Sequence, residues 1–143
     1  MTTVEKVIAL QEVDIFSEVS TRELAYLAAI VEERSFSQGE QIYGTGDVAD
    51  SMYLLLSGRV RLHRDGMEIA EMGPGEAFGT WSLFDDEPRV SAATALDEAA
   101  VLKLHKDSFI DLLSDNVEIT QGVLKALVLR VRGLLGRVGG GAR

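Results

Sequence analysis

Cysteine is absent from this 143-residue chain, so it has no disulfide framework, thiolate metal site or cysteine nucleophile. Histidine is nearly absent. His63 falls at an outward-facing strand position and His105 at a strand end, and two such scattered residues supply neither a catalytic base nor a metal site. Long apolar runs are missing too: the longest, Leu24 to Val31, is far short of the ~20 residues that span a bilayer. Glu5, Lys6 and Glu12 interrupt what would be the apolar stretch of a signal peptide, so a cytoplasmic location without membrane insertion is expected. Basic residues are the minority, 14 against 23 acidic for a net charge of −9. A protein that coats nucleic acid carries the opposite excess, so direct nucleic-acid binding is not expected.

What is present describes a folded chain. Hydrophobic residues make up 46% and charged residues 26%, the balance of a soluble domain with one sizeable core. The charge is segregated: every acidic residue lies at or before Glu118, where nine basic residues leave a net −14, and the remaining 25 residues carry +5.

Periodicity divides the chain into helical ends and a strand-rich middle. Val4, Val7, Ile8 and Gln11 share one face of a short helix over residues 3–11. Ser20 or Thr21 caps a second helix with Leu24, Leu27, Ala28 and Val31 on its buried stripe. From Arg34 to His105 short apolar runs alternate with turns, and eight of the 14 glycines fall at or near those turns. Residues 51–56 and 59–64 read as a hairpin about Ser57-Gly58, and Asp65-Gly66 as a second turn into residues 67–72. Residues 90–96 and 99–105 complete the strands. Asp107 or Ser108 caps a helix bearing Phe109, Ile110, Leu112 and Leu113, and a final helix runs from about Asn116 to Val138. Its apolar residues Ile119, Val123, Leu124, Leu127, Val128, Val131, Leu134 and Leu135 cover a wider arc than one packing partner needs. Val117, Leu124, Val128, Val131, Leu135 and Val138 follow a coiled-coil spacing, which predicts a homodimer through this helix.

The chemistry concentrates in Gly73 to Ala92. Gly79 enters a one-turn helix, Pro88 makes a turn, and Arg89 opens a strand. Backbone N–H groups at a helix start attract anions, glycine permits close approach, and an arginine adds two parallel donors. The combination describes a small phosphate pocket. Arg89 also follows Asp85, Asp86 and Glu87, and the competing role for it is a surface ion pair.

This stretch resembles the phosphate-binding cassette of cyclic nucleotide-binding domains: Phe-Gly-Glu, a short helix, then Pro-Arg and small residues. Residues 38–43, 46–53 and 57–60 match that family's turn and strand signatures in order. The resemblance implies a mainly β fold: a double-stranded β-helix, or jelly-roll-like β-roll, over residues 34–105. N-terminal helices at 1–33, C-terminal helices at 106–138 and a flexible tail at 139–143 complete a single domain. It also implies a ligand, cAMP or cGMP, and no cofactor. The implied ligand-binding residues are Phe78, Gly79, Thr80, Trp81, Ser82, Pro88, Arg89, Val90 and Ser91. Arg89 pairs with the phosphate, backbone groups of Gly79, Thr80, Trp81, Val90 and Ser91 add donors, and the Ser91 hydroxyl adds another. Base contacts are nominated at Val131, Leu134 and Leu135, and the Trp81 side chain is assigned to filling the roll.

One position departs from the pattern. The acidic residue that follows Phe-Gly in the family accepts the ribose 2′-hydroxyl, and Thr80 stands there. Three functions therefore compete. The first is a cyclic nucleotide sensor whose C-terminal helices respond to occupancy. The second is a degenerate roll that serves as a dimerisation or docking module. The third is an enzyme on a cupin-like barrel, which the missing cluster of His and carboxylate ligands argues against. The segment Thr3 to Val7 resembles the lead-in helix of such domains when appended to bacterial proteins, so an effector domain in a longer parent protein is expected.

Overall fold

The computed structural model describes residues 1–138; the tail expected at 139–143 lies outside them. Two helices lead the chain, α1 (Thr3–Leu10) and α2 (Thr21–Ile30), with a 3-10 turn at Asp14–Phe16 between them. Both starts are capped. Thr2 and Glu5 exchange side-chain to backbone hydrogen bonds at α1, and Ser20 Oγ accepts from the Glu23 N–H at α2 (3.2 Å). The face of α1 differs from expectation: Val7 and Leu10 are buried, whereas Val4 and Ile8 are exposed. Packing against α2 selects the Val7–Leu10 side of this short helix.

Eight strands follow: β1 (Glu32–Phe36), β2 (Gln41–Tyr43), β3 (Ser51–Ser57), β4 (Val60–Arg64), β5 (Met67–Met72), β6 (Ala77–Phe78), β7 (Ala92–Ala95) and β8 (Ala99–His105). They form two antiparallel four-stranded sheets, ordered β1-β8-β3-β6 and β2-β7-β4-β5. This is the expected β-roll.

Sheet membership corrects one hairpin. β3 pairs with β8 and β6, and β4 with β5 and β7, so Ser57-Gly58 carries the chain from one sheet to the other. The burial of β3 explains it. Met52 and Leu54 join the core under the helices, and Tyr53 and Leu55 join the core inside the roll. A strand covered on both faces sits within its sheet and reads as a continuous apolar run. The second turn is as expected: Arg64 opposes Met67, and Asp65 and Gly66 take φ of 53° and 78°.

Two helices close the chain, α3 (Lys106–Asp115) and α4 (Val117–Val138). Neither Asp107 nor Ser108 caps α3. β8 runs straight into it, and the Lys106 N–H is taken by the Asp50 carbonyl (2.8 Å). Ile119, Val123 and Ala126 bury one side of α4 against the N-terminal 3-10 turn and α3. The seam positions Val117, Leu124, Val128, Val131 and Leu135 are exposed; the Val138 side chain lies outside those described.

Candidate ligand site between the roll and the last helix

Gly79 ends β6 in a left-handed conformation (φ 72°) and leads into a 3-10 turn at Thr80–Leu83. A side chain is excluded there twice over. The conformation disfavours one, and a Cβ would stand 2.6 Å from Arg89 Nη1. The turn is fastened from within by Ser82, whose hydroxyl donates to the carbonyls of Ser51 (2.7 Å) and Gly79 (2.6 Å).

Arg89 reaches the same two carbonyls from the other side. Its Nη2 donates to Ser51 O at 2.8 Å and its Nη1 to Gly79 O at 3.5 Å. Its backbone pairs with the turn after β2: Gly46 N donates to Arg89 O (2.8 Å), and Arg89 N to Asp47 O (2.9 Å). The guanidinium lies over the ring of Tyr43, 4.0 Å from its centroid. Burial pushes the Tyr43 hydroxyl up to about 12, against the opposing pull of the Arg89 charge.

Arg89 is 6% exposed, and among the described residues no carboxylate pairs with it. The surface ion pair is therefore not what forms. Asp86 instead meets Lys106 Nζ (2.6 Å), whose hydrogen bond holds that carboxyl below its ordinary value, and Lys106 also donates to the Asp85 carbonyl (2.7 Å). Among the described residues the Nε–H of Arg89 has no acceptor. Burying a charge and a donor without partners is expensive, and an anion in the adjoining space supplies both.

That space is a cavity of about 700 Å³. Phe78, Gly79, Thr80, Trp81, Ser82, Pro88, Arg89, Val90 and Ser91 all line it. Val131, Leu134 and Leu135 do not; they are half exposed, and α4 reaches the cavity through Arg130. Nor does Trp81 fill the roll. It is 61% exposed with the Arg130 guanidinium 5.4 Å from its ring. The sequence reading missed Tyr43, Ser51 and Arg130. Tyr43 stood within a matched signature, but nothing local tells that its ring lies under an arginine 46 positions later.

Five carboxylates, Glu12, Asp14, Glu76, Asp85 and Glu87, also line the cavity against two guanidiniums. The positive field available to an anion there is the local one at Arg89, not that of the surroundings.

Comparison with known families matches residues 33–116 to the cyclic nucleotide-binding domain. The chain belongs to this family. This cyclic nucleotide-binding domain is 31% identical over 128 residues to a CRP-like cAMP-activated global transcriptional regulator of Mycobacterium tuberculosis, a match that covers 86% of the chain. It is 30% identical over 123 residues to the cyclic AMP receptor protein of Thermus thermophilus, covering 82%. In both cases it spans 57% of the relative's length. Its fold superposes on the N-terminal domain of a transcriptional regulator from Streptomyces coelicolor A3(2) with a TM-score of 0.79 and 32% identity, covering 85% of this chain and 90% of that one. Among the described residues no helix is long and apolar enough to cross a membrane.

Proposed function

We propose that this chain is a regulatory domain that senses a cyclic nucleoside monophosphate, cAMP or cGMP, through the cavity between the roll and α4. The observation that carries this is Arg89: buried and, among the described residues, without a carboxylate partner and with an unpartnered Nε–H. In this reading Arg89 pairs with the cyclic phosphate. The backbone of Gly79, Thr80, Trp81, Val90 and Ser91 and the Ser91 hydroxyl supply further donors. The names of the relatives, two of them cAMP-responsive, support the ligand class.

Occupancy draws the cassette toward the phosphate, and α4, which meets the cassette through Arg130 and Trp81, repacks in response. A ligand shifts such an equilibrium only by its differential affinity for the two arrangements. The exposed apolar seam of α4 pairs with a second copy, and the output lies in a partner or an attached effector domain. Residues 1–118, with their acidic excess, make no direct nucleic-acid contact in this scheme.

Calorimetric titration with cAMP and with cGMP tests the proposal. Saturable heat is expected from at least one, and Arg89→Ala abolishes it. No heat at millimolar nucleotide overturns the proposal.

Thr80 favours a second reading, a roll that has lost its nucleotide and works as a docking module. A charge-assisted hydrogen bond contributes roughly 1.5–3 kcal/mol, so its loss at the ribose weakens binding by one to two orders of magnitude. Thr80→Glu separates the two readings. Binding that appears only in Thr80→Glu, from an undetectable start, supports the docking module, and a gain of one to two orders of magnitude on binding already present supports the sensor.

A further inference from the structure

A phosphate site built on one buried arginine works only if the guanidinium is held in one plane. Two carbonyls engage its Nη atoms, but a fork held at one edge can still tilt about that edge. What faces the guanidinium is Tyr43. The antiparallel pairing of residues 46–47 with Arg89 sets the two side chains side by side, and the ring lies 4.0 Å from the guanidinium carbon.

The ring is itself fixed. Its centroid lies 6.0 Å from that of Tyr53 and 6.3 Å from that of Phe78, which stack on one another at 5.3 Å. At the Nη1 edge the Gly79 backbone comes so close that a Cβ there would stand 2.6 Å from that nitrogen. We propose that Tyr43 is a positioning residue for the anion site: its ring face holds the Arg89 guanidinium in the plane set by the Ser51 and Gly79 carbonyls, so that a ligand phosphate meets a cation already oriented. The inference rests on the cyclic nucleotide reading above for its ligand, and on the geometry alone for the positioning. The active part is the π face and not the hydroxyl, which stays neutral throughout the physiological range because burial raises it to about 12.

The test compares the protein with Tyr43→Phe and Tyr43→Leu, each with and without Arg89→Lys. Tyr43→Met replaces Tyr43→Leu if the latter does not fold. Calorimetry with cAMP or cGMP is expected to give a Kd within about threefold of the parent for Tyr43→Phe and at least tenfold weaker for Tyr43→Leu. In the Arg89→Lys background, Tyr43→Leu adds nothing, because the planar group it acts on is gone. Equal loss in both backgrounds marks a merely structural role and overturns the proposal, as does equal loss in Tyr43→Phe and Tyr43→Leu.

A second measurement needs no nucleotide. In nitrogen-15 spectra the Arg89 Nε–H resonance, assigned by its disappearance in Arg89→Lys, is expected to be ring-current shifted and slowly exchanging in the parent and in Tyr43→Phe. In Tyr43→Leu it moves to the solvent-averaged position. If neither nucleotide binds the parent, the ligand reading fails and this resonance decides the positioning role. The resonance also decides it where Arg89→Lys abolishes binding. An unchanged resonance in Tyr43→Leu overturns the positioning role.

Discussion

A methyl group on Gly79 would meet Arg89 Nη1 at 2.6 Å and the Ser51 carbonyl at 3.3 Å, in a conformation with φ of 72°. Gly79→Ala is expected to lower unfolding free energy by about 1–3 kcal/mol through backbone strain alone. It also displaces the guanidinium, so cyclic nucleotide affinity falls by more than the stability change explains. Denaturant titration and calorimetry on the same variant separate the two effects. Tyr43 supplies a second prediction at this scale. Its folded value lies above the ordinary 10.0, at about 12, so the neutral ring is favoured in the folded protein. That contribution is intact below pH 10 and is lost as pH rises toward 12. Tyr43→Phe should remove this alkaline component of the stability profile, and an identical profile in both proteins would contradict the burial argument. Gly79 and Arg89 were legible in the sequence because the cassette is contiguous. Tyr43, Ser51 and Arg130 were not, because only sheet pairing and helix docking bring Tyr43 and Arg130 to the cavity and the Ser51 carbonyl to Arg89.

Among the elements, α3 is tied to the cassette by side chains from both. Lys106 at its start holds Asp85 and Asp86, and Phe84 meets Phe109 edge-on at 6.0 Å. Lys106→Met should speed amide exchange across residues 84–88 without unfolding the roll; unchanged exchange there would show that the loop is held otherwise. The Asp86 carboxyl is held below its ordinary 3.8 by that lysine. The tie is therefore intact above the ordinary value and is lost as pH falls below it. Farther on, a Cβ on Gly122 would stand 2.8 Å from the Glu18 carbonyl, so α4 passes this backbone at the closest distance a glycine permits. Gly122→Ala gains helix propensity of about 1 kcal/mol, but overpacking costs about 1–3 kcal/mol. A net loss of stability is expected by thermal denaturation. Element types were mostly legible from period and turns: helices at both ends, the Asp65-Gly66 hairpin, and the strands from residues 51 and 99. The sheet change at Ser57-Gly58 was not, because an apolar run covered on both faces does not say which strand lies beside it. The α1 face and the α3 start were misread because packing partners, and not local caps, decided them.

For the molecule as a whole, the apolar arc of α4 divides in two. Ile119, Val123 and Ala126 are used within the domain; Leu124, Val128, Val131 and Leu135 are between 50% and 61% exposed. Sedimentation of the proposed homodimer should give a mass twice that of the chain, and Val128→Glu should return it to one. A monomeric parent at tens of micromolar would exclude the dimer. The wide arc was legible in the sequence; its division was not, since period alone cannot rank two partners.

If α4 repacks as proposed, the close passage at Gly122 would make it a lever. The helix runs from Val117 to Val138 and touches Glu18 near its first third. At 1.5 Å per residue, about 9 Å of arm lies between the Asn116 corner and this fulcrum, and about 24 Å lies beyond it. A shift of about 1 Å at the corner becomes about 2.7 Å at the far tip. The corner is stitched by Asn116 and Thr120 to the carbonyls of Leu112 and Leu113, so in the proposed sensor a displacement of α3 would be delivered to the short arm with little slack.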